Sequence, residues 1–421
     1  MSGAIAGHVS EARLWDRHMA MARHGATAAG GVNRQALSRE DAAAQVELIR
    51  WGAAFGLSAA TDPAGNLFLR LTGSDAEAPP ILTGSHMDSQ PTGGKFDGIY
   101  GVLAGLEAVQ AIIEADIRPR RSIEIVAWMN EEGSRFAPGM MGSEAFAGQR
   151  ALDEILAVRD LDGVSVAEAL AATRAALPRL PELPLRRPVA AYVEAHIEQG
   201  PVLEREDRII GVVSGIQGKR TFRVEVRGRD AHAGTTALSE RADALLAATL
   251  MVQRLHAMCI ETSEQGGGGQ VMFTVGRFIV EPNAPSVVAG KAAFSIDLRH
   301  PDQATLQRLG DRIAAVSEAA RGPCSVCVTE LVNAPSLEFP TDMRDRIHRV
   351  ACELGLAALA MPSLAGHDAR QMHMIAPSAM IFIPCRGGIS HNEAEWAESA
   401  HLAAGARVLA EVIGELALAA G

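Results

Sequence analysis

Short apolar runs rich in β-branched residues alternate with longer stretches of helical periodicity along much of the chain. Their length and composition are typical of buried strands, and a helix is predicted between them at 99–114. Such alternation predicts an α/β domain whose mixed, mostly parallel sheet carries helices on both faces. The strand-like runs span residues 66–71, 80–83, 123–129, 191–197 and 379–384.

The pattern changes between about 215 and 331, where the order becomes βαββαβ, as in a ferredoxin-like domain. Because a further strand follows, this region is predicted to be an insertion between two parts of the main domain, 1–214 and 332–421. The four glycines 266–269 predict a flexible loop, since no Lys-Ser/Thr pair follows to make a phosphate loop. The predicted elements are strand 221–226, helix 238–259, strands 271–280 and 287–298, helix 304–320 and strand 324–331.

Chain length and composition indicate the number of domains and exclude some classes of binding partner. At 421 residues and 48% hydrophobic content, the chain is too long for one ordinary core, which agrees with two domains. A formal net charge of −11 argues against nucleic acid or an anionic membrane as partner, because both require a basic face. A small-molecule substrate is expected instead.

The cellular location is predicted from the charged residues that interrupt the apolar stretches. Charged residues recur through the first thirty positions, and nothing elsewhere approaches eighteen uninterrupted apolar residues, so neither a signal peptide nor a membrane span is expected. Five thinly spread cysteines fit a reducing compartment rather than a disulfide framework. The sequence therefore predicts a cytoplasmic protein.

Histidine and carboxylate side chains in five separate motifs are the candidates for chemistry. They lie beyond the carboxyl ends of the apolar runs or in loops that open the next helix, which is where open α/β sheets place their sites. Any one of them alone is more often an ordinary solvated side chain, but together, and without thiolate, they favour a catalytic zinc or manganese site. The candidate ligands lie in the motifs 84–88, 94–98, 130–133, 194–198 and 390–391.

The adjacent pair Glu131 and Glu132 favours a site with two metal ions. Such a site needs a bridging carboxylate, terminal ligands on each ion and a base beside the attacking water. One glutamate can bind metal while its neighbour remains free to act as the base, since a metal-bound base would lose its proton affinity. A solvated acidic patch is the alternative, but the buried strand predicted at 123–129 weakens it.

Six motifs taken together resemble a known family, the hydantoinase/carbamoylase-type amidases of the M20-like metallopeptidase superfamily. That family includes N-carbamoyl-L-amino-acid hydrolases, β-ureidopropionases and allantoate amidohydrolases. The resemblance runs from about Arg13 to the C-terminus and implies a zinc-peptidase-like main domain with an inserted lid and dimerisation domain. The motifs, in the family's order, occupy residues 84–98, 130–136, 196–204, 232–236, 365–369 and 388–392.

The resemblance implies two divalent metal ions per subunit. His86 and His196 would bind one ion and Glu132 and His391 the other, with Asp97 bridging the two. Zinc or manganese is expected, although cobalt and nickel also accept these ligands.

The resemblance also assigns the remaining roles. Glu131 would be the general base, and Asp88 would orient His86, as a metal-bound histidine usually requires. In the lid, His232 would stabilise the oxyanion, and Arg299 would bind the substrate carboxylate through its planar fork.

Substrate contacts are less tightly defined. Gln199 is expected to reach the ligand, and His367 lies in a motif that resembles a family loop near the active site. Ser286 stands where many members carry a substrate-contacting Asn, and whether Ser286, Asn283 or Lys219 contacts substrate is left open.

The expected reaction is hydrolysis of the carbamoyl C–N bond of an N-carbamoyl amino acid or related ureido acid, with release of ammonia and carbon dioxide. Allantoate amidohydrolase is the main alternative, followed by a dipeptidase or aminoacylase of the same superfamily. An inactive metal-binding scaffold is a remote alternative, because Glu131, the ligands and His232 are all present. Family members pair through the inserted domain, which implies a homodimer.

Overall fold

A computed structural model describes residues 3–264 and 270–419, so the glycine loop predicted at 266–269 lies outside the described residues. Backbone contacts divide the chain into two compact units. The large unit comprises Met1–Ser214 and Phe339–Gly421, and the inserted unit comprises Gly215–Glu338. The boundary expected at 331 falls within a strand, Ser325–Ala334.

The helices and strands are numbered in chain order. The first part of the chain contains α1 (Glu11–Met21), α2 (Arg39–Ala53), β1 (Ser58–Thr61), β2 (Leu67–Leu71), β3 (Ile81–His86), α3 (Ile99–Glu114), β4 (Ile123–Trp128), α4 (Met141–Ala147), α5 (Leu152–Ala157), α6 (Val166–Ala176), β5 (Ala191–Ile197), α7 (Val202–Arg205) and β6 (Ile210–Ile216). The middle part contains β7 (Gly218–Arg227), β8 (Ala231–His232), α8 (Ala244–Glu264), β9 (Met272–Thr274), β10 (Phe278–Glu281), β11 (Val287–Val288), β12 (Lys291–His300), α9 (Gln303–Ala320), β13 (Ser325–Ala334) and β14 (Leu337–Glu338). The last part contains α10 (Thr341–Glu353), β15 (Ala358–Ser363), α11 (Ala369–Met372), β16 (Ser378–Ile383) and α12 (Ser399–Leu418).

The sheet of the large unit is mixed and parallel at its centre. Its strands lie in the order β1-β2-β4-β3-β5-β16-β6, with β15 also paired to β6. The four central strands, β4, β3, β5 and β16, run parallel to one another. The predicted α/β class is therefore confirmed, and the carboxyl ends of four neighbouring strands meet at one edge of the sheet.

Alternation along the central strands separates the hydrophobic core from the polar face. Alternate residues of β5, from Ala191 to Ile197, pack in the main core cluster with α3 and α12. Glu194 and His196 therefore point to the opposite face, because successive side chains of a strand alternate. On that face β5 contacts α11. A buried polar residue in this strand thus belongs to the site side of the sheet rather than to the core.

The inserted unit has a sheet of its own, in the order β10-β12-β7-β13 with β9 also paired to β12. Helices α8 and α9 pack on it around one apolar core. Several predicted bounds in this unit were wrong. Helix α8 begins at Ala244 rather than 238, because Asp243 Oδ1 accepts the backbone N–H of Leu246 at 3.0 Å and caps the helix there. The strands predicted at 271–280 and 287–298 are each divided in two, the first into β9 and β10 and the second into β11 and β12.

Among the described residues, α8 is a helix long and apolar enough to cross a membrane by length and composition. Its buried residues, including Met251 and Leu255, pack in the core of the inserted unit. Core packing within the inserted unit therefore accounts for part of the apolar character of α8.

Candidate metal centre

Four parallel strands deliver candidate ligands to one edge of the sheet. His86 is the last residue of β3, and His196 is the penultimate residue of β5. Glu131 and Glu132 follow β4, and His391 lies in the loop after β16. Residues distant in sequence are thus brought together at the carboxyl edge, where open α/β sheets bind their ligands.

Local backbone geometry places the two glutamates. Asn130 follows strand β4 with a left-handed φ of 55°, a conformation that Asn adopts more readily than most residues. Its side chain is buried and donates from Nδ2 to the carbonyl of Phe136 at 2.8 Å. The chain is therefore turned sharply at the end of the strand, so that Glu131 and Glu132 lie at the sheet edge.

Asp97 is supplied by the loop between β3 and α3. Gly98 follows it with φ of 66°, and a Cβ on this glycine would collide with the imidazole ring of His86. Only glycine allows the backbone to pass so close to that ring. The loop thereby holds Asp97, which is 8% exposed, beside both His86 and His196.

The candidate ligands form two groups that share Asp97. In the buried group, which contains His86, Asp97 and His196, His196 Nε2 lies 3.3 Å from Asp97 Oδ1. In the open group, which contains Asp97, Glu132 and His391, His391 Nε2 lies 3.2 Å from Asp97 Oδ2 and 3.3 Å from Glu132 Oε2. Asp97 therefore presents one oxygen to each group.

The tautomers of the two buried histidines follow from their backbone partners. His86 Nδ1 lies 2.9 Å from the carbonyl of Asp88, and His196 Nδ1 lies 2.8 Å from the carbonyl of Ile197. A carbonyl oxygen can only accept, so each Nδ1 carries the proton and donates it. Each Nε2 then carries the lone pair that a metal ion would use, and that of His196 accepts the backbone N–H of Gly98 at 3.2 Å.

The donor set fits a divalent metal. Two ligands each 2.0–2.1 Å from a tetrahedral ion lie about 3.3–3.4 Å apart, which is the spacing of the His–carboxylate pairs around Asp97. Burial, followed by the charge of Asp97, raises the pKa of Glu132 to about 8. A bound dication would offset that cost, since it favours the charged carboxylate.

Glu131 lies beside the buried group without belonging to either group of candidate ligands. Its Oε2 is 3.4 Å from His86 Nε2, and the residue is 8% exposed. Burial, together with the charges of Asp368 and Glu132, raises the pKa of Glu131 well above its ordinary value. The role of Glu131 as a base rather than a ligand stays a prediction, because 3.4 Å is also the spacing of two ligands on one ion.

The carboxylate of Asp88 makes contacts other than the expected one. It accepts the backbone N–H groups of Glu131 and Glu132, both at 3.2 Å, whereas its Oδ1 lies 3.7 Å from His86 Nδ1. His86 is oriented instead by the backbone carbonyl of Asp88. One residue thus fixes the ring of His86 through its main chain and the two glutamates through its side chain.

Gln199 and His367 both lie close to candidate ligands. Gln199 Nε2 donates to Asp97 Oδ2 at 3.0 Å and to Ser390 Oγ at 3.2 Å. Its Oε1 is buried and accepts no hydrogen bond among the described residues. The ring of His367, which is buried, lies 4.6 Å from that of His196, and its Nε2 lies 2.9 Å from Ser363 Oγ.

Glu395 is a site residue that sequence reasoning missed. Its Oε1 accepts the backbone N–H groups of Phe96 at 2.9 Å and Asp97 at 3.0 Å, while Ser390 Oγ lies 3.1 Å from its Oε2. The side chain therefore fixes the backbone that carries the shared aspartate. No pattern in the sequence separates Glu395, which is buried, from Glu393, which is half-buried on the same loop.

Asp368 was also missed, although it stands next to His367 in one of the six motifs. It is fully buried, and Ser143 Oγ donates to its Oδ1 at 2.5 Å. Burial, followed by the charge of Glu194, raises its pKa well above the ordinary value. Asp368 also contributes to the raised pKa of Glu131. The motif at 365–369 was the available signal, but the prediction taken from it was His367 rather than Asp368.

His232 and Ser286 are brought together within the inserted unit. Strands β8 and β11 pair His232 with Val287, and the backbone N–H of Ala233 donates to the carbonyl of Ser286 at 3.1 Å. His232 Nδ1 accepts two backbone N–H groups, from Gly234 at 3.0 Å and from the next residue at 3.2 Å. The neutral ring therefore carries its proton on Nε2.

Arg299 lies on β12 of the inserted unit and is paired within its own strand. Its Nε and Nη2 donate to the two carboxylate oxygens of Asp297 at 2.8 and 3.2 Å. Lys219, on the neighbouring strand, also contacts Asp297 at 3.2 Å. A substrate carboxylate at this position would have to share the guanidinium with Asp297.

Comparison with known proteins identifies the family. Residues 82–415 match the peptidase family M20/M25/M40. The chain is 39% identical over 411 residues to an N-carbamoyl-L-amino-acid amidohydrolase of Rhizobium meliloti, with 97% of each chain covered. It is 33% identical over 405 residues to an allantoate amidohydrolase of Bacillus subtilis, covering 94% of this chain and 95% of that one.

A comparison with solved structures indicates the same family. The crystal structure of an amidase of the hydantoinase/carbamoylase family from Burkholderia multivorans matches with a TM-score of 0.87 at 39% identity, covering 98% of this chain and 99% of that one. The resemblance stated from the motifs is therefore confirmed. The chain belongs to the peptidase family M20/M25/M40, whose hydrolases are metal-dependent, and within it to the hydantoinase/carbamoylase-type amidases.

Proposed function

We propose that this protein hydrolyses the carbamoyl C–N bond of N-carbamoyl amino acids or related ureido acids, using two divalent ions, zinc or manganese. The observation that carries the proposal is the geometry of Asp97, which presents one oxygen to the buried group and the other to the open group. The relatives named above act on compounds of this kind, which supports the choice of substrate class.

The ions, when bound, would polarise the ureido carbonyl and acidify a water molecule. Glu131 would take the proton from that water and deliver it to the departing nitrogen, as a general base and then a general acid. Cleavage of the C–N bond releases ammonia. The carbamate that remains loses carbon dioxide to give the amino acid, so one water molecule is consumed in each turnover.

Three further residues support the proposed substrate contacts. The Nε2–H of His232 is a donor suited to a developing oxyanion, because Nδ1 is occupied by two backbone donors. The buried Oε1 of Gln199 is an acceptor suited to a ureido N–H. Arg299 and its neighbour Lys219 carry two positive charges against the one negative charge of Asp297, and a substrate carboxylate would supply the second. Ser286 and His367 remain candidate substrate contacts by their positions beside His232 and His196.

The inserted unit is proposed to be the dimerisation and lid domain of a cytoplasmic homodimer. Strand β13 ends the sheet of this unit, and Leu331 and Val332 on it are exposed. Leu246 and Leu250 are also exposed, one turn apart on α8. An open strand edge and an apolar helix face are features that proteins normally cover, and pairing of two copies would cover both.

A substrate panel tests the reaction. Ammonia release should be measured with N-carbamoyl-L-amino acids, N-carbamoyl-β-alanine, allantoate and a dipeptide, before and after chelation and with zinc or manganese restored. The proposal expects turnover of a ureido acid that is lost on chelation. Preference for allantoate would assign the alternative activity, and full activity without bound metal would overturn the metal mechanism.

Glu131→Gln tests the division of roles between the two glutamates. The variant should keep both ions while its rate falls by roughly a hundredfold to ten-thousandfold, as expected for loss of a general base. Metal content by elemental analysis and single-turnover rates would be compared with Glu132→Gln, the matched control. If Glu131→Gln lost metal and Glu132→Gln kept it, the two roles would be exchanged.

Subunit mixing tests whether His232 acts across a dimer. Glu131→Gln and His232→Ala should each be inactive alone, but one class of mixed dimer would have a single site with both residues intact. Activity should therefore return when the two variants exchange subunits. Mixed dimers that form, as shown by differential tagging, yet remain inactive would mean that His232 does not act in the partner's site.

A further inference from the structure

An irregular segment near the N-terminus contacts, at three points, the two loops that carry Asp97 and His391. This segment, residues 25–34, which we call the strap, lies between α1 and α2 and precedes the residues 82–415 matched by the family. It closes on itself through hydrogen bonds from Asn33 N to the carbonyl of Gly25 at 2.7 Å and from Thr27 N to that of Gly31 at 3.0 Å. It is thus an ordered element outside the described site.

The first contact holds the chain that follows His86. Arg34 is 2% exposed, and its Nε donates to the carbonyl of Met87 at 2.7 Å. Its backbone exchanges two hydrogen bonds with Ser89, one from Arg34 N to Ser89 Oγ at 2.8 Å and one from Ser89 N to Arg34 O at 2.9 Å. Its Nη1 donates to carbonyls at the end of α1, including that of Met21 at 3.1 Å. Arg34 therefore joins α1 to the loop on both sides of Asp88.

The second contact holds the chain that leads to Asp97. Val32 and Gly93 form a two-bond bridge, in which Val32 N donates to Gly93 O at 2.9 Å and Gly93 N donates to Val32 O at 3.0 Å. Because Gly93 lies between His86 and Asp97, the strap fixes the loop that connects one buried ligand to the shared one.

The third contact holds the loop that carries His391. Thr27 Oγ1 donates to the carboxylate of Glu393. Gly31 packs tightly between the loop of Asp97 and the loop of His391. A Cβ on it would lie 2.5 Å from Gly93 O and 2.6 Å from Glu393 Cγ. Contacts this short leave no space for any side chain. The strap therefore sets the spacing between the loop of Asp97 and the loop of His391.

We propose that the strap positions Asp97 and His391 for metal binding, with Gly31 and Arg34 as its positioning residues. The sheet fixes only the strand ends, whereas Asp97 and His391 lie in loops whose separation no strand pairing determines. Displacing those loops would spread the open group and weaken its affinity for metal. This inference rests on the metal site proposed above.

Gly31→Ala is the sharpest test, because it adds one methyl group at the contact between the two loops. Zn²⁺ affinity should be measured by competition with a chelating indicator, and we expect it to fall at least tenfold, within the range found when groups that support metal ligands are lost. Hydrogen exchange of the metal-free protein should also become faster in residues 90–98 and 386–395.

Gly30→Ala is the matched control. A Cβ there would meet nothing within 4 Å, although its φ of 91° disfavours alanine. This variant should lose thermal stability while keeping Zn²⁺ affinity within about twofold of wild type, because it moves neither loop. Equal losses of affinity in both variants would overturn the strap's specific role and leave only a general loss of stability.

Thr27→Val decides the matter if Gly31→Ala does not fold. It removes the donor to Glu393 at nearly constant volume, and the weaker of the two Zn²⁺ affinities should fall while the tighter one is retained. Unchanged affinities in a folded Thr27→Val, or in Gly31→Ala, would overturn the inference alone. A wild-type protein that bound no Zn²⁺ would overturn the proposed metal site as well.

Discussion

The buried and open groups share one aspartate but differ in their access to solvent. His86 is 3% exposed and His391 is 49% exposed. Burial lowers the pKa of His86 to about 4, whereas the hydrogen bond with Asp97, followed by the charge of Glu132, raises the pKa of His391 to about 9. The buried group thus offers a neutral ligand at neutral pH, while the open group must release a proton before an ion can bind.

The two groups also differ in how firmly the backbone holds their histidines. His86 and His196 lie on paired strands of a buried sheet. His391 lies in a loop, with a left-handed φ of 52° and half of its side chain exposed. An ion in the buried group should therefore exchange slowly. An ion in the open group should exchange faster and have a coordination position accessible to substrate.

Asp97→Asn would remove the carboxylate that the two groups share. An amide oxygen can still bind one ion weakly, but the amide nitrogen has no lone pair for the other and the negative charge is lost. Zn²⁺ affinity should fall at both groups by more than the roughly hundredfold that loss of a supporting residue costs. Metal content after dialysis measures this, and Asp153→Asn, an exposed position on α5, is the control. Retention of two ions would show that Asp97 does not bridge.

The positions of the candidate ligands could be predicted because strand ends are encoded locally. Strand β5, 191–197, and helix α3, 99–114, have the bounds that apolar pattern indicated. A run of buried apolar residues must lie in the sheet, so a polar residue at its end must lie at the edge. The shared edge then follows from parallel packing, which alternation of strands and helices already implied.

The supporting contacts could not be predicted, because they join loops that are remote in sequence. Glu395 contacts the backbone of Asp97, and Arg34 contacts the carbonyl of Met87. In the sequence both look like ordinary surface charges, since nothing local forces them inward. The same limit explains why the carboxylate of Asp88 was assigned to the ring of His86 rather than to the glutamate backbone.

The pH dependence of metal loading should distinguish the two groups. Glu132 and His391, with pKa values raised to about 8 and about 9, are protonated at pH 7 in the metal-free protein. Each proton displaced by the ion contributes a factor of about ten per pH unit. Zn²⁺ affinity of the open group should therefore rise about ten- to hundredfold from pH 7 to pH 8. The affinity of the buried group should stay nearly constant, because His86 is already neutral.

Calorimetric titration at both pH values, with resolved first and second ions, measures this difference. His391→Ala serves as the control. It should abolish the pH-dependent binding of Zn²⁺ at the open group and leave the nearly pH-independent binding at the buried group. Two affinities that rise in parallel with pH would show that the groups do not differ in their protonation, whatever their exposure.

Gln90→Met should produce the smallest effect and confine it to one group. Gln90 Nε2 donates to Glu132 Oε2 at 2.8 Å, and this bond orients the carboxylate toward His391. Methionine keeps similar length and removes the donor, so affinity of the open group should fall by roughly tenfold, the lower limit for loss of such a partner. Gln253→Met, at an exposed position on α8, is the matched control and should change neither affinity. Because Asp97 is held by Gln199 and Ser390 rather than by Gln90, the buried group should keep its affinity. If it weakened equally, the two groups would be coupled through the Glu131–Glu132 backbone, and their difference in exposure would not make them independent.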